Sequence, residues 1–214
     1  MKSIASIITA CALAALANSS ASAGNLLING TFEDLAIPLD TFLKLPTIPG
    51  WLTPTAGAEF ELWSGTFGAI PSSQGVQHLE INASHEDQIV LQSVAVTQGQ
   101  LASFSFDYTG RFADNTFIVD VVGDTSNTHY VHTTLNPASF YASHTWDAFS
   151  MDFTPTDSSV TVSFRGIPNP ALDAGGHIDN VSLTQIVPEP SSGLLGILGA
   201  AGLFLRRSRS ASAA

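Results

Sequence analysis

From Gly24 onward, apolar residues recur at every second position, and Gly, Pro, Asn and Ser interrupt the runs at short intervals. In residues 102–108, apolar and aromatic residues alternate with two serines and an aspartate, and residues 160–165 repeat the pattern. A two-residue period places one face of a β-strand in a core and the other in solvent. The alternation therefore predicts an all-β fold of two packed antiparallel sheets.

About ten segments carry this pattern, and two long connections separate some of them. The predicted strands are Leu26–Glu33, Glu59–Trp63, Val76–Asn82, Gln88–Val96, Ala102–Tyr108, Thr116–Val122, Tyr130–Leu135, Trp146–Phe153, Val160–Arg165 and His177–Thr184. The longest predicted loops are Leu35–Ala58, rich in Pro and Gly, and Gly166–Gly176. Long loops on a rigid sandwich are where binding sites usually lie.

Residues 1–23 predict a secretory signal peptide with its own helix. Lys2 provides the positive start, Ile4–Ala17 is apolar, and small residues precede Gly24, so we expect signal peptidase to cut between Ala23 and Gly24. The only cysteine, Cys11, would leave with this segment. The exported domain would then contain no disulfide, cysteine zinc site or thiol nucleophile.

The predicted domain, residues 24–187, is strongly acidic. It contains three basic residues, Lys44, Arg111 and Arg165, against 17 carboxylates, a formal net charge of −14. A nucleic-acid-binding surface is excluded, because such surfaces are basic.

Residues 188–214 carry a second apolar targeting signal. A proline-rich motif precedes the uncharged run Gly193–Leu205, and an arginine cluster follows it. The motif and the cluster consist of Pro188, Glu189, Pro190, Arg206, Arg207 and Arg209. Thirteen apolar residues are short for a bilayer crossing, where about 20 are usual. Because the arginines would stay on the cytoplasmic side, the run predicts a short transmembrane helix that stops transfer.

This order of motif, apolar run and arginines resembles the PEP-CTERM sorting tail of Gram-negative bacteria. The resemblance implies recognition by an exosortase-type membrane peptidase and transient anchoring in the inner membrane. It further implies delivery to the cell surface or an exopolysaccharide matrix. The alternative is an ordinary C-terminal anchor that stays uncut.

Four motifs of the middle segment carry a second resemblance. They are Asn25–Glu33, Pro49–Trp51, Phe104–Arg111 and Gly176–Leu183. In this order they are similar to the galactose-binding-like jelly roll of carbohydrate-binding modules. The resemblance implies a sandwich whose first and last strands lie close together, often with a structural calcium ion near them.

Three carboxylates are candidate ligands for such an ion. Asp179 shares its parity with Val181 and Leu183, so we expect it to lean into the core, where a charge needs a metal ion or several N–H donors. The resemblance makes Glu33 its companion, and Glu80, in the predicted strand Val76–Asn82, is a third candidate ligand. In the alternative, Asp179 caps a turn by accepting backbone hydrogen bonds.

The sequence contains no convincing catalytic constellation. His129 and His132 are three positions apart, which places them on opposite faces of a strand unless a bend intervenes. Glu59 and Glu61 would project in parallel from one strand, whereas a glycosidase pair must flank the scissile bond. No Gly-x-Ser-x-Gly motif occurs. We therefore predict that the chain is not an enzyme.

Three residues are candidate ligand-binding groups. Trp51 follows a Pro-Gly pair in a loop, and Trp146 has the opposite parity to Phe149, so either indole could face outward and stack on a sugar ring. Arg111 could hydrogen-bond a sugar or pair with Asp107 or Asp114. In the alternative, Trp51 plugs the end of the sandwich and Trp146 packs under a loop.

Together these features predict an exported, non-catalytic surface or matrix protein that binds an extracellular polysaccharide. The first alternative is an exported glycan-active hydrolase on the same sandwich. The second is a purely structural matrix component. Fold analogy by itself names no ligand.

Overall fold

The computed structural model describes residues 24–85, 87–112, 115–168 and 175–185. Within these ranges, ten strands form two antiparallel sheets. The strands are β1 (Phe42–Leu45), β2 (Phe60–Ser64), β3 (Gln77–Glu80), β4 (Ile89–Ala95), β5 (Ala102–Gly110), β6 (Phe117–Gly123), β7 (His129–Leu135), β8 (Asp147–Phe153), β9 (Ser159–Gly166) and β10 (Gly176–Gln185). The six-stranded sheet has the order β1-β2-β3-β10-β5-β8, and the four-stranded sheet has the order β4-β9-β6-β7. The predicted two-sheet jelly-roll sandwich is confirmed.

The apolar positions of the alternation form the core between the two sheets. Phe104 and Phe106 of β5 are buried and meet Phe164 of β9, whose ring lies 5.0 Å from that of Phe106 in an edge-on contact. Fully burying a side chain of this size contributes about 1.5–3 kcal/mol. Because the core takes one face of each strand, the other face of each sheet points away from it.

Nine of the predicted strands are present, with ends that differ by a few residues. The tenth, Leu26–Glu33, forms turns instead, because Asn29 and Phe32 adopt left-handed φ angles of 52° and 58° that break a strand. A short edge strand, β1, lies inside the predicted loop Leu35–Ala58. It pairs with β2 from Phe42 to Leu45.

The first segment nevertheless lies beside the last strand, as the jelly-roll resemblance implies. Leu26 N donates to Leu183 O and Val181 N donates to Gly30 O, both at 2.8 Å. The side chain of Asn25 completes the pairing by donating to Val181 O and accepting from Leu183 N. A Cβ at Gly30 would lie 2.0 Å from Val181 O, so this close approach requires glycine.

Two connections cover the outer face of the six-stranded sheet. Residues 65–76 contain a 3-10 turn, Phe67–Ala69, and residues 136–146 contain a single helical turn, α1 (Phe140–Ser143). The apolar side chains Ile70 and Phe140 from these connections pack against Trp63 of β2. They form a second, smaller apolar cluster outside the main core.

The predicted signal peptide, residues 1–23, and the predicted sorting tail, residues 188–214, lie outside the described residues. So does most of the predicted loop 166–176. Within the described ranges, no helix combines the length and the hydropathy needed to cross a bilayer.

Candidate functional site

The outer face of the six-stranded sheet carries two rows of polar and aromatic side chains. The strand register places Lys44, Glu61, Glu80, His177 and Thr109 side by side in the first row. The second row pairs Phe42, Trp63 and His78 across β1, β2 and β3, and it pairs Asp179 with Asp107 across β10 and β5. Side chains that are directly opposite across paired strands lie about 4.5–5.5 Å apart at Cβ, so each row is a ladder of contacts.

Most of these outward-facing side chains are buried, because residues 65–76 and 136–146 lie over them. His78, Glu80, His177 and Asp179 are each 0% exposed. Ser72 Oγ lies 3.0 Å from His78 Nδ1, and Trp146 Nε1 donates to Pro71 O at 2.9 Å. The outer face is therefore a second, polar interior.

The first row contains two adjacent carboxyl groups. Burial, together with the neighbouring carboxylate of Glu61, raises the pKa of Glu80 well above its usual range. Glu80 accepts a hydrogen bond from Gly175 N at 2.8 Å, and its Oε1 lies 3.6 Å from Arg111 Nη1. Lys44 Nζ lies 3.6 Å from Glu61 Oε2, so one cation flanks each carboxyl group. This arrangement holds strands β1, β2 and β3 to the segment that follows β5 and begins with Arg111, called here the Arg111 loop.

Two buried histidines continue the ladder as neutral rings. Burial lowers the pKa of His78 to about 3 and holds the pKa of His177 well below its usual range. Their ring centroids are 5.0 Å apart, and Trp63 packs edge-on against His177 at 4.7 Å. Among the described residues, neither ring nitrogen of His177 has a hydrogen-bond partner. Both histidines therefore act as packing groups at neutral pH.

Asp179 lies on the outer face and not on the core face that its parity predicts. Asn180 adopts φ 52° and forms a bulge, so the register of β10 shifts between Asp179 and Ser182. The carboxylate accepts hydrogen bonds from Gln74 N at 2.8 Å and Asn180 N at 2.7 Å. Burial, and to a smaller extent the nearby Asp107 and Glu33, raises the pKa of Asp179 to about 7.

Glu33 has a similar role on the same connection. Its Oε1 accepts hydrogen bonds from Val76 N at 2.6 Å and Gln77 N at 2.7 Å. Glu33 and Asp179 thus fasten residues 74–77 to the N-terminal segment and to β10. This geometry matches the alternative in which Asp179 caps a turn.

The three carboxylates predicted as calcium ligands do not converge on one point. Glu80 belongs to the row with Glu61 and Arg111, whereas Glu33 and Asp179 hold residues 74–77. In the described part of the chain, only one group of three His, Cys, Asp or Glu side chains has its ligand atoms within 4.8 Å of one another. That group is Asp120, His129 and His132.

The prediction that Trp51 lies outside the core, with its indole free to bind a ligand, is wrong. Trp51 is 2% exposed, its Nε1 donates to Asn29 O at 3.0 Å, and its ring packs against Phe32 and Phe164. It plugs the sandwich, so its indole faces are covered.

Trp146 lies on the outer side of the six-stranded sheet, half-buried, with an edge-on contact to His78 at 5.3 Å.

Arg111 takes a partner that the sequence did not indicate. Its guanidinium pairs with Glu80 and lies 5.1 Å from the Trp63 ring centroid and 5.4 Å from that of Phe112. Asp107 instead accepts hydrogen bonds from Ser73 Oγ and Asn180 Nδ2. Asp114 lies outside the described residues. The Arg111 side chain remains 28% exposed at the edge of the polar interior.

An exposed aromatic patch beside Arg111 was missed by the sequence analysis. Phe112 is 45% exposed, Tyr141 is 40% exposed, and their ring centroids are 5.6 Å apart. Phe112 follows the end of β5, and Tyr141 belongs to α1, where no alternation marks an exposed ring. The adjacent basic and aromatic residues Arg111 and Phe112 at a strand end were the available signal. We call Arg111, Phe112 and Tyr141 the aromatic patch.

His129 and His132 also differ from their expected arrangement. The register between β6 and β7 shifts at Val121 and Val122, which leaves Tyr130 as an extra residue in β7. This bulge turns both histidines to the same face, where His129 Nδ1 and His132 Nδ1 lie 3.0 Å and 2.5 Å from Asp120 Oδ1. The exception that the parity argument allowed, a bend between the two histidines, is therefore present.

The chain matches no known protein family by sequence. No curated protein matches it either. Solved structures resemble it in fold. The carbohydrate-binding module TmCBM61, in complex with β-1,4-galactotriose, has 16% identity over 76% of this chain and 99% of its own, with a TM-score of 0.53.

Two further solved structures match at lower TM-scores. The tandem CBM22 domain from Paenibacillus barcinonensis Xyn10C has 15% identity over 80% of this chain and 48% of its own, with a TM-score of 0.49. The N-terminal cellulose-binding domain of Cellulomonas fimi β-1,4-glucanase C has 14% identity over 71% and 99%, with a TM-score of 0.44. The likeness to TmCBM61 shows that the described domain has a carbohydrate-binding-module-like jelly-roll fold.

Proposed function

We propose that this chain is an exported, non-catalytic glycan-binding protein and that the aromatic patch contacts the sugar. The observation that carries the proposal is the pair of exposed rings, Phe112 and Tyr141, beside the guanidinium of Arg111. Exposed aromatic faces stack on the C–H faces of sugar rings, and a planar guanidinium donates hydrogen bonds to hydroxyl groups. Support also comes from TmCBM61, which shares the fold and was solved with a galactotriose.

The packing beneath the patch favours a preformed binding surface. Arg111 is held between Glu80 and Trp63. Gly68, in the middle of the 3-10 turn, lies against Trp63 near the Tyr141 hydroxyl. Side chains held in place lose little conformational entropy when a ligand binds. The Glu61–Glu80 pair is less than 10% exposed, so we assign it to structure and not to glycoside hydrolysis.

Binding can be tested with the purified full-length chain on neutral polysaccharides, including β-1,4-galactan. We expect Phe112→Ala and Tyr141→Ala each to weaken binding by roughly 2- to 10-fold, because an aromatic contact contributes about 0.5–1.5 kcal/mol. Leu101→Ala is the matched control, since Leu101 is 50% exposed and precedes the other end of β5. Sugar release should be followed in the same samples.

Two outcomes would contradict this proposal. Unchanged affinity in both aromatic variants would remove the patch as the binding site. Release of reducing sugar by the wild type would favour the hydrolase alternative.

The export part of the proposal rests on the two terminal segments. We assign residues 1–23 as a signal peptide cut after Ala23 and residues 188–214 as a tail that anchors the chain transiently and is processed by an exosortase-type peptidase. The destination is the cell surface or exopolysaccharide matrix of a Gram-negative bacterium. N-terminal sequencing and intact mass of the secreted form test this assignment, and a cytoplasmic product that still starts at Met1 contradicts it.

A further inference from the structure

Asp120, His129 and His132 form a cluster on the outer face of the four-stranded sheet, separate from the aromatic patch on the other sheet. The Nδ1 atoms of both histidines approach the same carboxylate oxygen, Asp120 Oδ1. Their rings meet edge-on with centroids 5.3 Å apart. Two imidazoles and one carboxylate thus lie close together, and both kinds of group coordinate metal ions in proteins.

The local backbone is shaped to produce this convergence. Without a bulge, His129 would point to the opposite face of β7 from His132. The extra residue Tyr130 corrects this, and its hydroxyl donates to Asp157 Oδ2 at 2.9 Å, which anchors the bulge. A bulge gives up regular ladder pairing and re-aims a side chain, and such bulges occur often near functional sites.

The chemistry of the three side chains selects a class of ion. Two imidazole nitrogens and one carboxylate oxygen suit Zn²⁺ and neighbouring divalent transition metals, whereas Ca²⁺ takes mainly oxygen ligands. With bonds of about 2.0–2.2 Å, tetrahedral ligand atoms lie about 3.4 Å apart, so only a small opening of the present 2.5 Å and 3.0 Å contacts is needed.

The solvent exposure of the two histidines and the negative charge of the domain also favour binding of a divalent cation. The side chains of His129 and His132 are 54% and 58% exposed, so an ion can enter from solvent without any rearrangement of the core. Asp120 contributes one negative charge to the site, and the acidic domain attracts cations.

We propose that Asp120, His129 and His132 bind one divalent transition-metal ion of the zinc class. Three protein ligands leave the fourth tetrahedral position open to water or to an external ligand. The competing explanation is metal-free: two neutral imidazoles each donate an Nδ1–H to Asp120 Oδ1. The two explanations differ in whether zinc binds.

The test is calorimetric titration of tag-free, full-length protein with Zn²⁺, supported by the visible spectrum of the Co²⁺-loaded form. We expect one ion per chain, and a loss of at least about tenfold in affinity for His129→Gln, His132→Gln and Asp120→Asn. His144→Asn is the matched control, because His144 is exposed, lies outside the cluster, and has a left-handed φ of 55° that asparagine tolerates. Ca²⁺ should not displace Zn²⁺.

The two histidines are more than half exposed and Asp120 is 16% exposed, outside the core, so melting curves recorded without metal should stay close to the wild-type curve and confirm folding. No zinc binding by the wild type, or the same zinc affinity in the wild type and both histidine variants, would overturn the proposal. Equal competition by Ca²⁺ would overturn the assignment to the zinc class.

Discussion

At the scale of single residues, the notable feature is the number of ionisable side chains in the second, polar interior. His78 and His177 are neutral there, whereas the pKa values of Glu80 and Asp179 are raised by burial. A buried group whose native pKa differs from its unfolded pKa makes stability depend on pH. The outer face of the sheet therefore couples folding to proton binding.

Asp179 gives the sharpest test of this coupling. Its pKa is about 7 in the fold and 3.8 in the unfolded chain, so the native state binds more protons between these values. Its contribution to stability is complete below about pH 4 and is lost as the pH rises to about 7. The stability difference between wild type and Asp179→Asn should thus fall over this window, by at most about 1.4 kcal/mol per pH unit.

Urea denaturation at several pH values, with chelator present, measures this difference. The histidines contribute the opposite slope below about pH 6.5, but they are present in both proteins and cancel. Asp34→Asn, a change at an exposed carboxylate, is the control. Parallel pH profiles for wild type and Asp179→Asn would contradict the raised pKa.

A structural calcium ion at Glu33 and Asp179 stays a prediction. Both carboxylates already accept two backbone N–H groups, so an ion would have to share or replace those bonds. Calcium at 100 times its dissociation constant would add about 2.7 kcal/mol to the free energy of unfolding. Chelator should then lower the melting temperature of the wild type and of the exposed control Asp152→Ala, and leave Asp179→Ala unaffected. Identical wild-type melting curves with and without chelator would leave turn capping as the role of Asp179.

At the scale of elements, two bulges decide which side chains meet. The bulge at Asn180 moves Asp179 to the outer face of β10, and the extra residue Tyr130 aligns His129 with His132 on β7. Each bulge resets the two-residue parity for the rest of its strand. Both candidate ion sites therefore depend on irregular backbone within otherwise regular strands.

Substitutions at Asn180 test the left-handed conformation of its bulge. A β-branched residue is strained at φ 52°, so Asn180→Val should destabilise the domain by about 1–2 kcal/mol or more. Asn180→Gly should cost clearly less, because glycine adopts this conformation freely. Ser182→Val, two positions along in regular strand conformation, is the control, since valine is favoured there. Denaturation midpoints rank the variants by stability. Equal losses of stability in Asn180→Val and Asn180→Gly would argue against the bulge.

At the scale of the whole molecule, charge and sheet architecture act together. The predicted exported domain has a net charge of −14, and its two sheets place the aromatic patch and the histidine cluster on different outer faces. The proposed glycan contact and the proposed metal site can therefore be perturbed separately. The overall charge should still influence which polymers approach the domain.

We expect the domain to prefer neutral over anionic polysaccharides, because its charge repels the latter at low ionic strength. Titrating both kinds of polymer while following tryptophan fluorescence measures the preference, and added salt should narrow it. Arg111→Lys keeps the positive charge but loses the planar guanidinium. Comparing this variant with the wild type therefore separates the effect of charge on binding from the effect of hydrogen-bond geometry. Tight binding to an acidic polymer without calcium, unaffected by Phe112→Ala and by Tyr141→Ala, would contradict the predicted ligand class and the aromatic patch as the binding face.

The sequence predicted the elements well where side-chain periodicity is strict. Residues 102–108 and 160–165 alternate without interruption, and both form central strands whose apolar faces meet in the core. Prediction failed where local backbone conformation overrides the pattern. Asn29 and Phe32 break the first predicted strand with positive φ angles, and the edge strand β1 lies in a segment with many prolines and glycines.

The candidate sites were less predictable, because they combine residues that are distant along the chain. Arg111 was chosen from the sequence as a rare cation, but its pairing with Glu80 requires β3 to lie beside β10 and the Arg111 loop to fold over them. The burial of Trp51 likewise depends on Phe32 and Phe164 closing around it. Neither contact leaves a signal in sequence spacing.

By itself, the sequence determined the all-β class, most strand positions and the acidic character of the domain, because period and composition are local properties of a chain. Only the tertiary structure decided that the outer face of one sheet is a buried polar interior, since its cover comes from loops without periodicity. Only the tertiary structure placed Phe112 beside Tyr141 and both histidines on Asp120. Strand order and the single extra residue in β7 determine these contacts. Neither can be read from the spacing of residues along the sequence.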